Sequence, residues 1–214
     1  MRITCLHTAQ IHVQGFGALF EQSGFAGRVD HVVRADLLDR ARVQGAQAVA
    51  ADLRAVVADI GQVDALLCTC STLGPLIDEL ARSDPRLLRI DRPLMEQAIQ
   101  AKGKALVVIC LQSTQAATLD LLRQIAAESG RDASYELLLC AEVWPLFEAG
   151  ETDAFARAIA ARIRGALETM PDIGVVVLGQ ASMQGATAHL SDIGLPVLAS
   201  PQLAVDRAIA MALS

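Results

Sequence analysis

The sequence has no long hydrophobic run. Nothing in it approaches the roughly 20 apolar residues that a helix needs to span a bilayer, and its first residues, "MRITCLHTAQ", lack the apolar stretch and small-residue cleavage site of a signal peptide. A cytoplasmic protein without a membrane partner is expected. A basic excess is also lacking: 24 Asp and Glu stand against 18 Lys and Arg, for a formal net charge of −6, and the charges are scattered. Nucleic acid is not an expected partner, because binding it takes basic stripes that release counterions from phosphate. The five cysteines (Cys5, Cys68, Cys70, Cys110, Cys140) include no CxxC pair, and each lies in or beside an apolar run. Neither a disulfide framework nor a four-ligand zinc site is indicated, and reduced thiols are expected. In "VQGFGALFEQ", Phe20 stands where a dinucleotide fingerprint needs its third glycine after Gly15 and Gly17, so that stretch reads as a turn and helix start. Linkers and low-complexity segments are absent.

What is present is enough apolar material, 53% of 214 residues, for one large domain or two small ones. Short β-branched runs alternate with Ala-rich stretches of helical period. The runs predict strands over 2–7, 28–34, 63–70, 87–90, 104–111, 135–143, 174–180 and 196–199, with helices over 36–59, 73–81, 93–101, 114–128, 153–170 and 201–213. The most apolar strands are too unbroken to have a wet face, which places them in parallel sheets. "VDALLCTCSTLG" and "IGVVVLGQASMQG" each run from an apolar strand through small polar residues into a helix, as a duplicated pair of α/β halves would. The long Ala-rich helices point to a homodimer.

In open parallel sheets, ligands sit beyond the carboxyl ends of the strands, where helix N-termini present free N–H groups. Cys70 holds such a position. A helix starting near Ser71 or Thr72 lowers a thiol pKa and favours a nearby anion, which would suit Cys70 to act as nucleophile or base. The other reading of Cys70 is an ordinary buried strand cysteine. Cys68 shares its face but lies deeper, in the core.

Cys70-Ser71-Thr72-Leu73 resembles the first cysteine motif of the aspartate/glutamate/hydantoin racemase superfamily, usually Cys-Asn-Thr. "LGQASM" at residues 178–183 resembles the second, usually Leu-Gly-Cys followed by small residues. "VVICLQSTQAATLDLL" is similar to the mid-chain strand and Ser/Thr loop that holds a substrate carboxylate, and "LPVLASPQLAVDRA" to the closing strand and helix, so the resemblance spans nearly the whole chain. It implies an α/β protein of two pseudo-symmetric three-layer α/β/α lobes with mostly parallel sheets and the active site between them. The expected lobes are residues 1–93 plus 196–214, and 94–195. It also implies a cofactor-independent isomerase in which a thiol on each face of the substrate's α-carbon exchanges its proton. A Cys pKa tuned toward neutrality makes that exchange reversible.

The chain departs from this pattern at Gln180, which stands where the second cysteine is expected. An amide is neither acid nor base at neutral pH. Three readings follow: a racemase or epimerase whose second acid/base is His7 or Ser182; a one-thiol decarboxylase, cis-trans isomerase or lyase; or a carboxylate-binding protein without turnover. The implied site is Cys70 and His7 as catalytic groups, with Ser71, Thr72, Ser113, Thr114, Gln180, Ala181 and Ser182 around a small carboxylate-containing substrate. Ser113, Thr114 and Thr118 equally suit capping and decorating a helix. His7 and His12 have no Cys or carboxylate at ligand spacing beside them, and Cys5 lies on the core side, so no metal is expected. Trp144 either lines the cleft or fastens the lobes. Arg92 is either a carboxylate partner or a solvated charge.

Overall fold

The structure is a computed structural model that describes residues Met1–Ser214. In chain order its elements are β1 (Arg2–His7), α1 (Ile11–Gln22), β2 (Arg28–Val33), α2 (Ala35–Gln44), α3 (Ala50–Ile60), β3 (Ala65–Cys68), α4 (Gly74–Ala81) and β4 (Leu87–Arg89). There follow α5 (Arg92–Gln100), β5 (Lys104–Ile109), α6 (Gln112–Glu128), β6 (Tyr135–Leu139), α7 (Trp144–Glu148), α8 (Thr152–Leu167), β7 (Ile173–Leu178), β8 (Val197–Ala199) and α9 (Ser200–Leu213). The chain divides into two compact units, one of Met1–Arg92 with Pro201–Ser214, the other of Pro93–Ser200. Each holds a four-stranded sheet, of order β2-β1-β3-β4 and β6-β5-β7-β8, parallel throughout. No helix is long and apolar enough to cross a membrane.

Burial on both faces explains the unbroken apolar strands. In the first unit Leu6, Leu66 and Cys68 face Leu53, Val56, Leu73 and Ile77. In the second, Leu106, Val108, Val176 and Leu178 face Phe155, Ile159, Ile163 and Met183. Each large side chain so buried contributes about 1.5–3 kcal/mol.

All eight expected strands form, most of them shorter than the apolar run that marks them, because pairing stops before hydrophobicity does. Thus β3 ends at Cys68 rather than at residue 70, and β6 at Leu139 rather than 143. The helix expected over 36–59 is broken at Gly45, whose φ of +85° and ψ of 154° suit glycine alone; a 3-10 segment, Ala46–Val49, then leads into α3. "VQGFGALFEQ" lies within a full helix, α1, rather than a turn and helix start. The expected lobe boundary at 196 also moves: β8 pairs with β7, which keeps Val197–Ala199 in the second sheet and starts the return segment at Pro201.

Candidate functional site

In the first unit β3 gives way at Cys70, in extended conformation, to a 3-10 turn over Ser71–Leu73 and then to α4. The turn points the N–H groups of Thr72 and Leu73 at the Cys70 sulfur, and the hydroxyls of Thr72 and Thr8 add further donors. Cys70, Ser71, Thr72 and Thr8 are all buried. Burial pushes the thiol above its ordinary range and these donors pull it back, so the first turn acts on the thiol as expected but does not outweigh desolvation. The arrangement is a protonated thiol set among groups that stabilise its anion when a proton leaves.

Beneath this loop lies a buried ion pair that sequence reasoning missed. Arg89 grips Asp91 through Nε (2.6 Å) and Nη2 (2.9 Å), and reaches Asp78 of α4 through Nη1 (2.6 Å). Arg89 is 3% exposed and Asp91 not at all. Gly74 lets the guanidinium pass, for a Cβ there would meet it at 2.5–2.7 Å. The available signal was a cation inside an apolar strand, "RLLRI", which a buried position tolerates only when paired. Arg92 lies 3.9 Å from the same Asp78. Thr8 was also missed, although strand alternation from Leu6 puts it on the face of Cys70.

The second unit carries the corresponding position at Gln180, again extended and again the entry to a 3-10 segment, Ala181–His189. Its side chain turns back to β5: Oε1 accepts from the N–H groups of Cys110 (2.5 Å) and Leu111 (3.0 Å). Two donors just ahead of α6 are thereby satisfied from within the unit. Thr114 is buried in the first turn of α6, and the buried hydroxyls of Ser113 and Ser182 have no hydrogen-bond partner. Ala181 is half-buried. The Thr118 hydroxyl is likewise buried and unpartnered, and Trp144 packs on Phe147 and Phe155 within this unit's core.

His7 does not meet the requirement for a second acid/base. Both ring nitrogens are engaged, Nδ1 with Thr69 Oγ1 (2.9 Å) and Nε2 with His31 Nδ1 (2.8 Å). Burial, then the neighbouring His31 and His12, push its pKa down to about 3, so it is neutral and committed at physiological pH. It also projects from the face of β1 opposite Leu6 and Thr8. The structure therefore separates His7 from Cys70, while bringing together Cys70, Ser71 and Thr72 in one unit and Ser113, Thr114, Gln180, Ala181 and Ser182 in the other.

No protein-family model and no curated protein matches the chain. Solved structures do. A glutamate racemase isoform from Bacillus anthracis superposes with a TM-score of 0.75 at 13% identity, over 99% of this chain and 81% of that one. Allantoin racemase from Klebsiella pneumoniae gives 0.65 at 19% identity, over 100% and 88%. The chain has the fold of these racemases. A variant of arylmalonate decarboxylase shares the racemase fold too, with a TM-score of 0.56 at 12% identity over 100% of this chain and 94% of its own. At such identities the likeness establishes the racemase fold, and the chemistry has to be argued from the groups at the strand ends.

Proposed function

We propose that this protein is a racemase- or epimerase-like isomerase, independent of any cofactor, that acts through Cys70 at the α-carbon of a small carboxylate, amino acid or hydantoin-type substrate. The observation that carries this reading is the setting of the Cys70 sulfur, among the hydroxyls of Thr8 and Thr72 and the N–H groups of Thr72 and Leu73. These donors stabilise the thiolate that takes a proton from the α-carbon; reprotonation of the resulting enolate from its opposite face by a solvent-derived proton inverts the centre, while the Cys70 thiol gives its captured proton to solvent. Ser71, Thr72, Ser113 and Thr114 are the proposed carboxylate contacts, with Gln180 offering its amide N–H groups and Ala181 and Ser182 beside it. Glutamate and allantoin racemases among the structural neighbours support the class of reaction.

A second reading is favoured by Gln180 and His7 together. With an amide in the position that corresponds to Cys70, and His7 kept neutral by burial with both ring nitrogens engaged, the only acid in view is one thiol. That suffices for decarboxylation: the bond from Cα to a carboxylate carbon breaks, CO2 leaves, the electron pair stays on Cα as an enediolate, and Cys70 delivers its proton there. An arylmalonate decarboxylase shares the fold.

Incubation with amino acids, hydantoins and 2-substituted malonates in deuterated water tests both. Deuterium entering both enantiomers of one compound is the result expected of the racemase, and deuterium in one enantiomer with release of CO2 is that of the decarboxylase. The enzyme reading fails if Cys70→Ser leaves the rate of any exchange found unchanged.

A further inference from the structure

Three of the four histidines in the chain, His7, His12 and His31, gather in the first unit, on the far side of its sheet from Cys70. The register of β1 on β2 sets Cys5 opposite His31, and the two-residue alternation of a strand turns His7 to the same face as Cys5. Leu6, Cys68 and Cys70 face the other way, into the core beneath α3 and α4. α1 lies over the histidines, with the Phe16 ring centroid 5.4 Å from that of His7 and the His12 centroid 6.4 Å from it. The Cys5 sulfur and one ring nitrogen each of His7 and His31 lie within 4.8 Å of one another.

We propose that Cys5, His7 and His31 form a zinc site, with Cys5 Sγ, His7 Nε2 and His31 Nδ1 as ligands. The hydrogen bonds around His7 already assign its tautomer. Thr69 Oγ1 lies 3.3 Å from the Leu6 carbonyl and donates to it, so the hydroxyl oxygen accepts from His7 Nδ1–H, and the lone pair of Nε2 is turned toward His31. A hydroxyl holding the non-ligating nitrogen is the outer-shell support that metal-bound histidines use to fix ring orientation.

The donor set decides the ion. One thiolate and two imidazoles suit zinc, whereas magnesium and calcium take oxygen ligands. Bonds of about 2.0–2.1 Å to nitrogen and about 2.3 Å to sulfur, in tetrahedral array, place nitrogens about 3.3 Å apart and sulfur about 3.6 Å from each. His7 and His31, now 2.8 Å apart, open slightly, and the sulfur, within 4.8 Å of both nitrogens, closes by no more than about 1 Å, a side-chain adjustment. Three protein ligands leave one tetrahedral position, with His12 the next imidazole in reach. The proton balance is definite. On ligation the Cys5 thiol loses its proton to solvent while His31 shifts its Nδ1 proton to Nε2, so each ion bound releases one proton.

The test is titration of the reduced full chain with zinc sulfate against a chromophoric chelator, repeated in buffers of different ionisation enthalpy. The expected result is one zinc per chain with one proton released, and cobalt(II) in its place giving a thiolate-to-metal charge-transfer band. His31→Gln, at a half-buried position that leaves the core intact, weakens zinc at least 10-fold, Thr69→Val weakens it about 10- to 100-fold, and Cys5→Ser removes the cobalt band. Cys70→Ser retains full zinc affinity. The proposal is overturned by zinc that does not bind in stoichiometric amount, by affinity unmoved in His31→Gln, or by zinc lost with Cys70→Ser.

Discussion

In each unit the third strand lies beside the first, and two residues past its end the backbone enters a 3-10 turn through an extended residue. In the first unit that residue is Cys70, in the second Gln180. The registers make the comparison residue by residue: Leu6 pairs with Cys68 as Val108 pairs with Leu178, and Cys68 with Arg89 as Leu178 with Ala199. What surrounds the shared position differs. Cys70 draws donors from the side chain of Thr8, one strand over, and the buried guanidinium of Arg89 lies against Gly74 at the start of the helix that follows. Gln180 takes the backbone N–H of Cys110, the counterpart of Thr8, and the neighbouring strand offers only Ala199. The scaffold is duplicated while the chemistry is not: one strand end prepares an anion, and the other satisfies its own donors with an amide oxygen.

The comparison breaks most sharply at the thiol. Cys70→Ser is expected to lower deuterium exchange by about 1,000-fold, since a hydroxyl of far higher pKa replaces the acid/base, and a variant that keeps a tenth of the rate would show the thiol to be incidental. The ion pair comes next. Arg89→Met leaves Asp91 buried without its partner, and urea unfolding is expected to show a loss of about 3–5 kcal/mol. The exposed pair of Arg164 with Asp192 in the second unit is the control, with Arg164→Met costing under about 1 kcal/mol. Equal losses would mean that the buried pair holds the first unit no more firmly than an exposed pair holds the second.

At Gln180 the two strand ends can be made alike. Gln180→Ala unpairs the Cys110 and Leu111 N–H groups, at about 1–3 kcal/mol each when buried, measured by the same unfolding. Gln180→Cys carries that cost and sets a thiol at the corresponding strand end of the second unit; under the one-thiol reading, in which the parent labels one enantiomer, it is expected to let solvent deuterium enter both. Exchange that stays one-sided would mean that a second thiol at this position does not reach the reacting carbon.

Much of this was legible in the sequence, because burial on both faces of a parallel sheet writes itself as unbroken apolar runs, and "VDALLCTCSTLG" against "IGVVVLGQASMQG" exposes the third strand of each unit. Cys70 was found by its place at the end of an apolar run, and Gln180 through the resemblance of "LGQASM" to a racemase-family motif. Contacts between residues far apart in sequence were not legible. Arg89 with Asp78, Gln180 with Cys110, and His7 with His31 are set by register and by the path of the next helix, which periodicity does not encode. His7 was therefore read as a free acid/base on its type and place at a strand end, while the strand that ties it down is β2. Gly45 shows the limit within a single helix: an Ala-rich period continues through it, and only the positive φ reveals the break.

The smallest effect expected, and the one that separates the units most finely, is at Thr8. Burial holds the Cys70 thiol above its ordinary value of 9.0, so its thiolate is the minor form at neutral pH and alkylation by iodoacetamide should quicken about tenfold for each pH unit between 7 and 9. The Thr8 hydroxyl is the first of the donors that oppose burial. Thr8→Val removes a hydrogen bond to the charged form only, worth about 1.5 kcal/mol at the lower end for such bonds, which raises the thiol pKa further and slows alkylation at any fixed pH in that window by about 10-fold. Thr8→Ser keeps the hydroxyl and should restore the rate. Its counterpart makes the opposite prediction, for Cys110→Ala removes a side chain yet keeps the N–H that Gln180 uses, and should leave the Gln180 contact intact. If Thr8→Val alkylates as fast as the parent, the thiol owes its state to the turn over Ser71–Leu73 alone, and the pairing of Thr8 with Cys70 loses its chemical meaning.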